Sequence, residues 1–314
     1  MKNRLFLVGI LVAGITLLMP GVVLAGPTES LDRTGRVFGP LNEMVGPRLP
    51  GSFLAGRQKN SWAGESGWKD ISLLGESGET PEAKIQVPVL MYHYIRVNPD
   101  PKDKVGFDLS VTPDKFEEQM IWLRDNRYET LSLDEFYRGV LKGETLPERP
   151  VVITLDDGYA DSYWHAYPIL RRLGLKAANF IITGFIGAPK YLSLWQMREM
   201  AESGVFSFGA HTVSHLILTP LSEGEVREEI RKSKVMLEQR LGARIDWFAY
   251  PYGRINAKVA KIVQEAGYFG AFGTNDGASE TSKNVFTLPR IRVSGGESLK
   301  TFAAKLESVS VKEE

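Results

Sequence analysis

Two hydrophobic rhythms alternate along this chain from about Ile85 onward. Short runs in which nearly every position is apolar or β-branched, at residues 87–92, 151–155, 177–183, 205–209 and 247–250, predict buried strands. Between them, apolar residues recur three or four positions apart, the period of a helix with one buried face. Thr112 followed by Pro113 opens one such helix, with Phe116, Met120 and Leu123 as its buried stripe. Ser132 with Glu135 and Ser222 with Glu225 form capping boxes for two more, running to about Leu141 and about Leu241. Further helices are predicted over 162–173, where Pro168 kinks or starts the helix, over 194–202 up to Gly204, over 257–266 and from Ser298 onward. Short strands are predicted at 128–131, 269–272 and 285–293, and a plain connector at 108–111.

Strands alternating with helices at this interval predict an α/β fold with a parallel sheet. About seven or eight such units in roughly 230 residues favour a (β/α) barrel over an open sheet. In a barrel the strand ends share one face, so His93, Asp156, Asp157, His211, His215, Tyr252 and Arg290 are expected to converge from distant parts of the chain.

The pattern is different towards the amino terminus. Residues 26–84 are rich in glycine, serine, proline and charge with scattered single apolars, which reads as a linker or an extension wrapping a domain at 85–314. Residues 1–25 carry Lys2 and Arg4, an apolar run from Leu5 to Met19, then Pro20 and the small-residue ending Val23-Leu24-Ala25. That order predicts a secretory signal peptide and a secreted or cell-surface protein. The alternative is an uncleaved membrane anchor, because the run nearly spans a bilayer.

Composition narrows the classes further. The 314 residues are 43% hydrophobic and 24% charged, enough for one large domain with a substantial core. A formal net charge of zero implies no general attraction to nucleic acid, and membrane contact is expected only if the N-terminal segment stays uncleaved. The absence of cysteine excludes thiol catalysis, disulfides and cysteine-based zinc sites.

The chemistry gathers at predicted strand ends. The 151–155 strand runs into Asp156-Asp157-Gly158, and burying two neighbouring carboxylates requires a cation or donors to offset the cost. His211 and His215, four residues apart, suit one ion, and with one carboxylate they make a set that leaves positions open for water and substrate. Each feature alone also has a plain structural reading, a solvated turn or a structural histidine pair. Three of the four histidines at predicted strand ends weigh against coincidence. His165, in the helix after the acid pair, reads as a surface residue.

Thr154-Leu155-Asp156-Asp157-Gly158 resembles the first motif, T-F-D-D-G, of polysaccharide deacetylases of the NodB type, carbohydrate esterase family four. His211-Thr212-Val213-Ser214-His215 resembles their second motif, H-[ST]-x-x-H, and Phe248-Ala249-Tyr250-Pro251-Tyr252-Gly253 is similar to the third. The resemblance covers about residues 85–306. It implies a deformed (β/α) barrel and metal-dependent removal of N-acetyl groups from an amino-sugar polysaccharide. It further implies that Asp157, His211 and His215 hold one divalent ion, that Asp156 is the general base, and that the backbone N–H of Tyr252 completes an oxyanion hole. Zinc suits such a set, and cobalt, nickel or iron can occupy it.

Two departures point to one branch of that family. Ala249 stands where the third motif usually has an arginine, and the late L-x-H motif that usually supplies the acid is replaced by Leu288-Pro289-Arg290. Leu90-Met91-Tyr92-His93 resembles an early stretch of the deacetylases that act on poly-N-acetylglucosamine exopolysaccharide, where the histidine is the acid. His93 is therefore expected to protonate the departing amine, and Arg290 to replace the lost arginine by pairing with Asp156. Tyr94, Trp195 and Tyr250 are candidate sugar-stacking faces. Peptidoglycan or chitin oligomers, another bond such as an O-acetyl ester, or carbohydrate binding without catalysis are the alternatives.

Overall fold

The computed structural model describes residues 87–100, 102–275 and 285–310, so the readings of 1–25 and 26–84 lie outside the described residues. In chain order the elements are β1 (Val89–Tyr92), β2 (Tyr94–Ile95), α1 (Lys104–Leu109), β3 (Ser110–Val111), α2 (Pro113–Asp125), β4 (Glu129–Thr130), α3 (Leu133–Lys142) and β5 (Pro150–Leu155). A π-turn at Ser162–Ala166 leads into α4 (Tyr167–Leu173), followed by β6 (Ala177–Ile181), α5 (Leu194–Glu202), β7 (Phe206–Ala210) and α6 (Glu223–Leu241). The chain continues through β8 (Trp247–Ala249), α7 (Ala257–Glu265), β9 (Gly270–Phe272), β10 (Ile291–Arg292) and α8 (Leu299–Ser310).

Seven parallel strands follow one another in the order β10-β1-β5-β6-β7-β8-β9, and β4 pairs with β5 beside them. Leu288 forms a parallel bridge with Phe272 of β9, and three residues later the same segment becomes β10 beside β1. The pairing thus runs round a deformed (β/α) barrel, as expected. The strands are apolar because both faces are covered. In β5, Val152 points into the inner cluster with Val89, Phe180, Trp247 and Phe272. Val151, Ile153 and Leu155 alternate to the outer layer under the helices.

The helices start where the caps place them. Thr112 caps α2 with Pro113 in its first turn, and complete capping boxes open α3 at Ser132–Glu135 and α6 at Ser222–Glu225. A third box, Ser193–Gln196, opens α5 and was not anticipated.

Two expectations about the elements need correction. Residues 108–111 are not a plain connector: they hold the end of α1 and β3, which pairs with β2. The stretch 285–293 is strand only at Ile291–Arg292, because Leu288 makes a single bridge and the backbone then turns its Arg290 N–H to the Asn275 carbonyl. Arg290 therefore lies just before the last strand instead of inside it. Its long side chain reaches along the barrel interior to the face where the other groups lie.

Candidate active site

The strand register brings the first three groups together. Tyr92 pairs with Leu155, and the Asp156 N–H donates to the Tyr92 carbonyl at 3.0 Å, so His93 and Asp156 leave neighbouring strands side by side. Asp157 then takes a positive φ of 76°, followed by Gly158 at 77°. This reversal separates the two acids. Asp156 turns to Arg290, while Asp157 turns to the histidines.

Asp157 Oδ1 stands 3.4 Å from His211 Nε2 and 3.3 Å from His215 Nε2. One ligand atom from each of these three residues lies within 4.8 Å of the others. Asp157 Oδ1 is buried and accepts no hydrogen bond, a cost that a divalent cation would remove. His211 follows β7, and its Nδ1–H is placed to donate to the Ala249 carbonyl at 2.7 Å. That contact directs the Nε2 lone pair at the shared point. Two imidazoles and a carboxylate on one buried oxygen fit a zinc-like ion.

The loop carrying the histidines is held from several sides. Thr212 and His215 adopt positive φ of 66° and 58°, and Thr212 Oγ1 accepts the His215 N–H at 2.9 Å. Glu229 of α6 accepts both the Val213 and Ser214 N–H groups at 2.9 Å each. Gly184 donates to the Val213 carbonyl, and a Cβ there would sit 2.6 Å from that oxygen, so the loops pack backbone to backbone. With Asp157 and Tyr252, the loop accounts for four of the six non-glycine residues of positive φ among the described residues. Strain of this kind concentrates at functional sites.

Asp156 is buried and ion-paired. Arg290 donates to its Oδ1 at 2.8 Å and its Oδ2 at 2.6 Å, a bidentate fork. The same guanidinium donates to Thr154 Oγ1 at 3.1 Å and to the Gly273 carbonyl at 2.9 Å, with the Phe180 and Phe272 rings beside it. Burial alone would raise the Asp156 carboxyl, but the Arg290 charge and hydrogen bonds outweigh it and hold the group below its ordinary value. Asp157 is likewise raised by burial and lowered further by His211, His93 and His215, ending well below the carboxylate range. Burial lowers His93, and the Asp156 and Asp157 charges offset part of that shift. Burial and the His211 charge bring His215 down to about 4.

Tyr252 sits in the turn Pro251–Gly253 after β8, with φ 56°. Its ring is exposed and lies 4.6 Å from the His215 ring, centroid to centroid. His165 is exposed, as expected.

Of the three candidate sugar faces, two are already occupied. Tyr250 is fully buried and donates its hydroxyl to the Phe286 carbonyl. Tyr94 stacks on Tyr159 at 3.9 Å and carries the Arg96 guanidinium at 3.4 Å, so both its faces are covered. Only Trp195 remains open, 56% exposed.

Glu229, Asp161 and Arg96 escaped the sequence reading. A glutamate between the buried Val226 and Ile230 of α6, on the helix that follows the histidine loop, was the available signal for the first. Burial pushes the Asp161 carboxyl up to about 7 despite the nearby Arg96 charge.

Comparison with known proteins points to one family. A family model described as polysaccharide deacetylase matches residues 143–271. The Bacillus subtilis (strain 168) protein YxkH, which carries a polysaccharide deacetylase name, is 36% identical over 228 residues, 73% of this chain and 78% of its own. The poly-β-1,6-N-acetyl-D-glucosamine N-deacetylase of Staphylococcus aureus is 31% identical over 198 residues, 59% of this chain and 68% of its own. The solved Streptococcus pyogenes deacetylase PplD in complex with acetate superposes with a TM-score of 0.67 at 33% identity, covering 71% of this chain and 99% of that one.

Proposed function

This chain belongs to the polysaccharide deacetylase family, and on that premise we propose that it hydrolyses the N-acetyl groups of an amino-sugar polysaccharide, poly-β-1,6-N-acetylglucosamine first among them. The observation that carries the reading is the division of labour between adjacent acids. Asp157 faces two imidazoles, while Asp156 is buried, ionised and paired away from them. The substrate assignment is supported by the Staphylococcus aureus relative and by the Leu90-Met91-Tyr92-His93 stretch.

Asp157, His211 and His215 would hold the ion, which supplies Lewis-acid polarisation of the acetyl carbonyl and of water. Asp156 takes the proton of the attacking water. Arg290 occupies one lone pair on each Asp156 oxygen, and the remaining lone pairs can accept that proton. The Arg290 fork keeps Asp156 ionised against the effect of burial, and oriented, until that moment. As water oxygen joins the carbonyl carbon, the developing oxyanion takes a hydrogen bond from the Tyr252 backbone N–H, a contribution of about 3 kcal/mol for one such donor. His93, beside Asp156, gives its proton to the nitrogen as the C–N bond breaks, and acetate and a free amine leave. The N-terminal pattern supports export, as a secreted or cell-surface protein.

The test is acetate release from poly-β-1,6-N-acetylglucosamine oligomers by metal-stripped chain, then by chain resupplied with zinc, cobalt or nickel. Release that returns with the metal is the expected result. Release from peptidoglycan or chitin oligomers instead would keep the chemistry and replace the substrate. Silence on all three would leave carbohydrate binding without catalysis.

A further inference from the structure

Four tryptophans lie among the described residues, and two behave unlike the others. Trp122 packs against Tyr128 and Phe302, and Trp247 is buried in the inner cluster. Trp164 and Trp195 are 58% and 56% exposed. They are not scattered. Tyr163 lies between them in edge contact with both, 4.9 Å from Trp164 and 5.2 Å from Trp195, and its hydroxyl donates to Glu199 at 2.7 Å. Tyr163 also stacks on Tyr167 at 5.7 Å, which anchors the group to the core.

The fold places this shelf on the catalytic face. Trp164 lies in the π-turn after the β5 loop, and Trp195 lies in the first turn of α5 after the β6 loop, so both stand beyond the C-terminal ends of neighbouring strands. An inserted turn of the π type is itself a frequent mark of a functional position. The two loops are tied together next to the acid pair. Tyr159 bridges Tyr191, the Leu192 N–H donates to the Gly158 carbonyl at 2.9 Å, and the Ala160 N–H donates to the Lys190 carbonyl at 2.8 Å. The shelf is therefore continuous with the backbone that positions Asp157.

We propose that Trp164, Tyr163, Trp195 and Glu199 form a distal binding shelf for pyranose rings of the same polymer whose acetamide is cleaved at the metal-facing site. This rests on the proposed function. Exposed indole faces held by a third ring suit the C–H face of a sugar, and a carboxylate beside them accepts its hydroxyls. Arg198, the basic residue next to Glu199, is turned away and donates to the Arg240 carbonyl, leaving the carboxylate uncontested on its own helix. A chain long enough to reach the shelf is gripped at two points, and a disaccharide at one.

The experiment uses the full chain in two forms. With Asp156→Asn, so that glycan is not consumed, oligomers of increasing length are titrated while indole fluorescence is followed. Trp164→Ala and Trp195→Ala are introduced into both forms, titrated in the first and, in the active chain, compared with their parent on disaccharide and on polymer, with circular dichroism as the folding check. The expected result is an affinity that rises about tenfold once oligomers reach the shelf and stays flat in either alanine variant. KM rises more on polymer than on disaccharide in both alanine variants, and Trp195→Phe, which keeps an aromatic face, recovers the polymer KM.

Binding that ignores length in parent and variants alike would overturn the shelf. So would indoles that respond to phospholipid vesicles and not to glycan. If no substrate releases acetate but length-dependent binding persists, the proposed function fails and the shelf stands. If deacetylation proceeds and the tryptophan variants match the parent at every length, the shelf alone fails.

Discussion

Arg290 and Asp156 are 134 residues apart in sequence and meet through two parallel hydrogen bonds of 2.8 and 2.6 Å, with the guanidinium fully buried. Arg290→Ala would strand a buried carboxylate. The expected cost is about 3–5 kcal/mol of stability, read by chemical denaturation, together with a loss in kcat of roughly a hundredfold. The sign in pH is also set. Without the guanidinium the Asp156 pKa rises, so the acid limb of the kcat/KM profile moves to higher pH. Arg290→Lys restores charge without the planar fork and should recover only part of both losses.

His93→Ala tests the proton donor. The Asp157–His211–His215 group does not include His93, so metal content by elemental analysis should be unchanged. Turnover on an unactivated N-acetyl substrate should fall by about two to four orders of magnitude. A substrate with a leaving group that needs no protonation should lose much less, and equal losses on both would sink the assignment.

Glu229 is not part of the Asp157–His211–His215 group, yet it fixes two consecutive N–H groups of the loop between His211 and His215. Glu229→Gln keeps one acceptor and loses the charge, while Glu229→Ala loses both. Zinc affinity measured by competition with a chelator should weaken about tenfold for the alanine and less for the glutamine. Unchanged affinity in both would show that the loop holds its positive-φ turns unaided.

Asp161 offers a pH dependence that does not involve turnover. Its folded pKa, about 7, lies above the unfolded carboxyl value, so the folded chain holds this proton more tightly. The contribution is fully present below the unfolded pKa and is lost as pH rises through about 7. Asp161→Asn removes that loss. The difference in Tm between variant and parent should grow in the variant's favour from pH 5 to pH 8, and a constant difference would refute the assignment.

Most of the barrel was legible because its strands and caps are local signals. A parallel strand buried on both faces announces itself as an apolar run, and Ser132–Glu135 and Ser222–Glu225 announce where helices begin. The motifs carrying Asp156, Asp157, His211 and His215 were equally legible. The rest depended on the third dimension. Nothing near Tyr250 in sequence says that its hydroxyl is taken by Phe286, and nothing near Tyr94 says that Tyr159 and Arg96 cover its two faces. Strand 285–293 was over-read because an apolar run looks the same whether its backbone makes a ladder or one bridge.

The contact from His211 to the Ala249 carbonyl has a bearing on how this site can diverge. A main-chain oxygen survives any change of side chain, so the imidazole keeps its partner whatever residue occupies position 249. Loss of an arginine there removes a charge but leaves the ring's orientation intact. A cation from position 290, on the segment bridged to the neighbouring β9, can then take over the electrostatic duty. The geometric and electrostatic duties at this centre are thus separable, and evolution or a designer can relocate one without rebuilding the other.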